Sequence, residues 1–417
     1  MSEDVDAVVV DTFRQDWGVV VATLIRMTGD WDLAEECAQD AFAQALSRWP
    51  GDGVPRRPGA WIVTAARNRA VDKLRRRSVE TAKLREIAAA GDPARAPAGE
   101  SGDATDGSGI ADDRLRLLFT CCHPALSLEA RVALTLRTLA GLSTAEIARA
   151  CLVSEATMAK RLVRAKGKIR NAGIPYRVPS ADLLPARTPG VLAVLYLLFN
   201  EGYAATAGAY RIRTDLCSEA IRLARLLAQL MPDEPEALGL LALMLLHDAR
   251  RGARIDEAGR LVTLEDQDRT RWRRGEIDEG IAVLESALDR GDVGPYQLQA
   301  LIAACHATAD TAADTDWAGI ARLYRRLMDV TPSPVVALNH AVAVAMSDGP
   351  AAGLALIERL ETDGRLADYH LLPATRADLL RRLGRHPEAA VAYRSAIELA
   401  DTDPVRDYLI RRLAEVT

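Results

Sequence analysis

Residues 88–109 hold Ala, Gly, Pro, Ser, Thr and charged side chains but no Val, Ile, Leu, Met or Phe. A stretch with nothing to bury cannot offset the entropy of being ordered. The chain therefore divides there: residues 88–110 read as a flexible linker between a helical module at 5–87 and a second at 111–173. Pro175, Pro179, Pro185 and Pro189 punctuate a connector at 174–190, after which a third region occupies 191–417. Aromatic residues make up only 5% of the chain, Ala, Leu and Arg are abundant, and β-branched runs are scarce. Local propensity thus favours helix throughout, and the expected fold is all-α: two small helical modules and a C-terminal helical repeat.

The net charge of -5 would argue against nucleic-acid binding if it were evenly spread, but it is not. Residues 1–52 carry three basic residues (Arg14, Arg26, Arg48) against eleven acidic ones, whereas residues 53–77 carry eight basic residues against Asp72 alone. A second basic block, residues 154–170, sets six basic residues against Glu155. Segmental patterning of this kind marks surfaces for partners of opposite sign.

In the first module Asp32 and Glu35 have the spacing of a helix N-cap pair, with Leu33, Cys37, Ala41 and Ala45 continuing at helical intervals. The opposite face carries Glu35, Glu36 and Asp40. Residues 50–59, rich in Pro and Gly, break this helix, and a second resumes at Trp61 and runs to Arg77. Trp61 at its start and Arg67, Asn68, Lys73, Arg75 and Arg76 along it combine a stacking surface with phosphate partners, as opening of a duplex requires. The plainer readings are a core tryptophan with a solvated basic face, and an acidic face that serves solubility.

The second module contains a sharper signal. Ser143 and Glu146 form a capping box before a short helix at 144–150, residues 151–153 form a turn, and Ser154 caps the next helix. That is helix-turn-helix spacing. Met158 and Leu162 face inward with Ile147 and Ala148, which leaves Thr157, Lys160, Arg161 and Arg164 to reach a major groove and its phosphates. A structural three-helix unit is the alternative.

In the third region, Ala220, Ala224, Leu227 and Pro232 are separated by intervals that Ile320, Tyr324, Leu327 and Pro332 repeat one hundred residues later. This is close to three periods of about 34 residues, and Gly384, Ala389, Tyr393 and Ala396 match a tetratricopeptide unit. Residues 250–279 break the period.

Six dispersed cysteines fit neither a disulfide framework nor a zinc site and agree best with a reducing cytoplasm. The adjacent Cys121, Cys122 and His123 read as packing residues rather than metal ligands. Scattered histidines form no catalytic constellation, and no phosphate-binding glycine loop occurs, so neither an enzyme nor a cofactor is expected. No apolar run is long enough to span a bilayer.

Residues 5–173 resemble the extracytoplasmic-function sigma factors of bacterial RNA polymerase, whose compact members have the two domains called sigma-two and sigma-four. Residues 32–42 are similar to the family's polymerase-docking helix. The resemblance implies that Asp32, Glu35, Glu36 and Asp40 meet the β′ clamp helices of the core enzyme. Residues 61–77 are similar to the helix that recognises and melts the minus-ten element, with Arg67, Asn68, Asp72 and Arg75 in register and the preceding loop cupping an extruded base. Residues 142–165 are similar to the minus-thirty-five reader, which would sit at the β flap; Leu152 departs from the turn glycine common there. Residues 195–203, 295–299 and the terminal repeat look like the C-terminal extension of one subgroup. This implies an extension that controls activity or engages polymerase and takes a protein or peptide partner. The competing reading is a stand-alone helix-turn-helix regulator with a ligand- or peptide-sensing tetratricopeptide domain.

Overall fold

The computed structural model describes residues 2–89, 113–151, 153–203, 210–291, 293–400 and 402–417. The expected linker, except for residues 88 and 89, and Leu152 in the turn lie outside them. Among the described residues every regular element is helical, with eighteen α-helices, two short 3-10 helices and one isolated bridge between Ile255 and Leu261. No helix among them is long and apolar enough to cross a membrane. The chain forms two compact units, Met1–Leu197 and Leu198–Thr417.

The first unit opens with α1 (Ser2–Thr28), α2 (Trp31–Asp52) and α3 (Pro58–Ala89), which pack on one another. Gly29 takes the left-handed conformation at φ 66° and ends α1. The true N-cap of α2 is Asp30, whose carboxylate accepts the N–H groups of Asp32 and Leu33 at 3.0 and 3.1 Å. The expected Asp32–Glu35 cap is thus displaced by two residues, because the turn after Gly29 leaves Asp30 in the extended conformation that a cap requires. Pro50 does not break α2, which closes only at Gly53, and the second helix starts at Pro58 and outruns its expected end at Arg77. Phe13, Trp17 and Phe42 form an aromatic cluster with centroids 4.9, 5.0 and 6.2 Å apart.

The second module contributes α4 (Asp113–Cys121), α5 (Leu128–Thr138), α6 (Thr144–Ala150) and α7 (Glu155–Asn171), followed by α8 (Leu184–Tyr203). Cys121 and Cys122 are buried beside the Thr138 and Thr135 hydroxyls, at 3.3 and 3.8 Å. Burial pushes the Cys122 thiol up to about 12. Both act as packing residues.

The second unit runs from α9 (Tyr210–Leu230) and α10 (Pro235–Asp248) through α11 (Arg274–Leu288), α12 (Pro295–Thr308), α13 (Trp317–Val330) and α14 (Pro334–Asp348). It ends with α15 (Pro350–Asp363), α16 (Leu371–Arg382), α17 (His386–Glu398) and α18 (Asp403–Ala414). Most of these helices pack chiefly on their immediate neighbours in sequence, the mark of a quasi-one-dimensional stack. Proline recurs in the first two positions of α10, α12, α14, α15, α17 and α18, where its missing N–H has no intrahelical partner to lose. Of the repeat positions, Ala220, Ala224, Leu227, Ile320, Leu327, Ala389, Tyr393 and Ala396 are buried, Tyr324 is half-buried, and Pro232, Pro332 and Gly384 are exposed. Residues 249–273 are irregular, as the broken period suggests, but α11 already begins at Arg274, inside the stretch expected to be aperiodic.

Candidate nucleic-acid and partner interfaces

The turn between α6 and α7 is built as its sequence demands. Ser143 and Glu146 close a reciprocal capping box, with the Ser143 N–H donating to Glu146 at 2.7 Å and the Glu146 N–H to the Ser143 hydroxyl at 3.2 Å. Ser154 caps α7 by accepting the N–H of Thr157 at 3.2 Å. Ile147, Ala148, Met158 and Leu162 are buried between α6, α7 and α5, and this fixes the rotation of α7. Its opposite face presents Thr157, Lys160 and Arg164 exposed and Arg161 half-buried. With Lys168 and the start of α5 they line a groove of about 450 Å³.

Along α3 the basic and polar side chains divide into two sets. Arg67, Asn68, Arg75 and Arg76 are exposed. Lys73 instead turns back to α2, with Nζ 2.9 Å from Glu36 and 3.0 Å from Asp40, and Arg69 lies 3.0 Å from Asp40. Lys73, expected among the DNA-facing cations, is thus engaged within the module, because one turn of α3 sets it opposite the acidic face of α2. The Lys73 ammonium is the main cause that holds the Asp40 carboxyl below its ordinary range. Trp61 is half-buried, edge-on to Trp49 at 5.5 Å, so only part of its ring is available for stacking.

Residues 13–79 match the family described as Sigma-70 region 2, and residues 116–169 match Sigma-70, region 4. A relative from Rhizobium meliloti (strain 1021), an uncharacterized protein, is 46% identical over 94% of this chain and 92% of its own length. The chain belongs to the sigma-70 family. Residues 187–288 match a family of unknown function (DUF6596), so this sigma factor carries a C-terminal extension beyond regions 2 and 4.

In this sigma factor regions 2 and 4 do not stand apart as beads on a linker but share one compact unit. Glu35, expected on the exposed acidic face of α2, is buried, its side chain 8% exposed, and it faces region 4. Arg137 donates to it at 2.9 Å, and Lys166 Nζ lies 2.7 Å from its other oxygen, a contact of charges whose angle falls short of a hydrogen bond. Lys166 also donates to Asp32 at 2.9 Å. Two of the four acidic residues read as docking groups are therefore held by region 4 itself.

Around this core the Trp17 indole N–H donates to the Arg137 carbonyl at 3.2 Å, and the Tyr176 hydroxyl lies 2.9 Å from the Ala22 carbonyl. Arg26 pairs with Asp113 at 2.9 Å. Gly141, at φ 75°, brings its backbone against Phe13 and Trp17, where an added Cβ would stand 2.9 Å from both rings. None of Trp17, Arg137, Gly141, Lys166 or Tyr176 was legible as an interface residue, since each is an ordinary apolar, turn or basic residue in its own segment. The one available signal was Lys166, an apolar-face position of α7 occupied by a cation.

Proposed function

We propose that this sigma factor binds core RNA polymerase and directs promoter-specific initiation in the manner of the extracytoplasmic-function group. The α2 acids Asp32, Glu35, Glu36 and Asp40 engage the β′ clamp helices. Trp61, Arg67, Asn68, Arg75 and Arg76 of α3 hold the minus-ten element. Thr157, Lys160, Arg161 and Arg164 of α7 read the minus-thirty-five element beside the β flap, and Lys73 joins the DNA contacts only once its pairs with α2 are released. The C-terminal tetratricopeptide-like repeat regulates this activity. The observation that carries the reading is the outward row of polar and basic residues on α7, fixed by a capped helix-turn-helix, in a chain that also carries region 2.

The clasp between regions 2 and 4 sets a condition on this function. Elements named for positions ten and thirty-five lie about 25 base pairs apart, roughly 85 Å at about 3.4 Å per base pair. With regions 2 and 4 held together through the 2.7 Å contact of Lys166 with Glu35, occupancy of both elements calls for the two regions to part. The connecting residues 90–112, fully extended, reach about 80 Å at roughly 3.5 Å per residue, so the regions can part without breaking the chain. Opening frees Glu35 and Asp32 for polymerase as it frees region 4 for DNA.

The deciding experiment is transcription by purified core polymerase on a promoter identified by co-purification and sequencing. Promoter-specific transcripts that require the full chain are the expected outcome. Operator binding without core enzyme and no transcript would favour the stand-alone regulator.

A further inference from the structure

The second unit contains a groove of about 560 Å³ whose walls come from α12, α13, α14, α16, α18 and the irregular loop before α11. Four arginines line it: Arg269, Arg381, Arg382 and Arg412. Three of them converge on one carboxylate. Arg381 reaches Asp378 at 2.8 Å, Arg382 at 2.7 Å and Arg412 at 3.1 Å. Asp378 balances one of these three charges and Glu415, 2.6 Å from Arg412, a second, and each guanidinium carries five N–H donors in a planar fork suited to further carboxylates. Trp317, His306 and Tyr408 add aromatic wall to the same groove, with His306 edge-on to Trp317 at 5.1 Å.

The remaining charge is met from the groove's rim. Glu265, on the irregular loop and separated from Arg382 by 117 residues of sequence, accepts its N–H at 2.9 Å. The Glu265 side chain is 56% exposed, against 29% for Arg382. An exposed carboxylate on a non-helical loop, laid onto a recessed arginine, is an occupant that can leave. Its neighbours Asp266 and Asp268 make residues 264–268 an acidic run.

We propose that this groove is a binding site for an acidic peptide segment of a partner protein, in which a partner carboxylate replaces Glu265 on Arg382 and a second reaches Arg381. The loop at 263–268 is the site's internal stand-in. It keeps the arginines neutralised until a partner displaces it, and the aromatic walls take the apolar residues between the partner's acids. The site lies wholly within the second unit, and its test needs no polymerase, so it stands or falls separately from the sigma activity.

The test uses the full chain and a fluorescein-labelled peptide with the sequence of residues 262–268, followed by fluorescence anisotropy at low salt. A tethered segment competes at an effective concentration in the millimolar range. Glu265→Ala removes that competitor at an exposed position, so the peptide should bind this variant at least tenfold more tightly than the parent chain. Adding Arg382→Gln to Glu265→Ala should cost at least tenfold, with Arg381→Gln as the second variant and unchanged thermal melting as the control for folding. Equal binding by the parent and Glu265→Ala proteins, or binding indifferent to both arginine changes, would overturn the proposal. Displacement of the peptide by inorganic phosphate at equal concentration would overturn it too, by making the groove a small-anion site.

Discussion

Glu35 offers the sharpest test of the clasp. Its carboxylate is 8% exposed between Arg137 and Lys166, themselves 16% and 10% exposed, so Glu35→Gln keeps the side chain's shape and strands two recessed cations. Removing one partner of a buried ion pair costs about 3 to 5 kcal/mol, and the lower end applies because Lys166 retains Asp32 and Arg137 retains the Leu142 carbonyl. At roughly 2 to 4 °C per kcal/mol for a unit of this size, the melting temperature of the first unit should fall by about 6 to 12 °C. Circular dichroism on the Glu35→Gln, Lys166→Met and double variants gives the coupling, expected at about 1 to 3 kcal/mol for residues in contact. Lys166→Met also loosens the clasp without touching the acidic surface of α2. If closure opposes docking, this variant should bind core polymerase more tightly, by up to about a hundredfold if about 3 kcal/mol of closure is lost. Additive melting shifts together with unchanged core affinity would refute the argument that region 4 masks the docking helix.

Other outcomes follow from the same geometry. Gly141→Ala places a Cβ 2.9 Å from the Phe13 and Trp17 rings at a positive φ and should destabilise the first unit by roughly 1 to 3 kcal/mol, measured by urea unfolding. Arg161→Ala and Arg164→Ala should each weaken upstream promoter binding; a lost phosphate contact lowers the salt slope by about 1, and a lost base contact costs about 1 to 3 kcal/mol and relaxes sequence preference. Parental footprints from both would misassign α7. Asp40 titrates below its ordinary value of 3.8, so its pairing with Lys73 contributes stability that is fully present above that value and lost as pH falls through the lower, folded-state value. The stability gap between the parent and Asp40→Asn should therefore be constant from pH 7 to pH 5 and close in the acid range; a gap that closes near neutrality would contradict the pairing.

What could be read from the sequence was whatever rests on local rules. The capping box at Ser143, the cap at Ser154 and the inward set of Met158 and Leu162 follow from hydrogen-bonding chemistry and helical period within a dozen residues, and the structure reproduces each of them. Of the C-terminal positions at repeat spacing, most are buried between helices for the same reason, while Tyr324 is half-buried and Pro232, Pro332 and Gly384 are exposed. Local rules failed where a residue's partner is far away in sequence. Glu35 and Glu36 are neighbours with identical side chains, and helical periodicity alone placed both on a solvent face. Their fates differ because region 4, 102 residues on, delivers Arg137 to one of them, while α3 delivers Lys73 to the other. The same holds for Trp61, whose edge-on partner Trp49 belongs to the preceding helix. A second consequence concerns binding itself. Acids and bases suited to a polymerase clamp or a phosphate backbone are also suited to each other. A chain carrying both on tethered modules will pair them internally unless something of higher affinity intervenes. In this sigma factor Asp32, Glu35, Glu36 and Asp40 are all so paired. On the proposed function, the strength of polymerase docking is a difference between two sets of contacts, and a substitution on region 4 that weakens the internal set should strengthen docking.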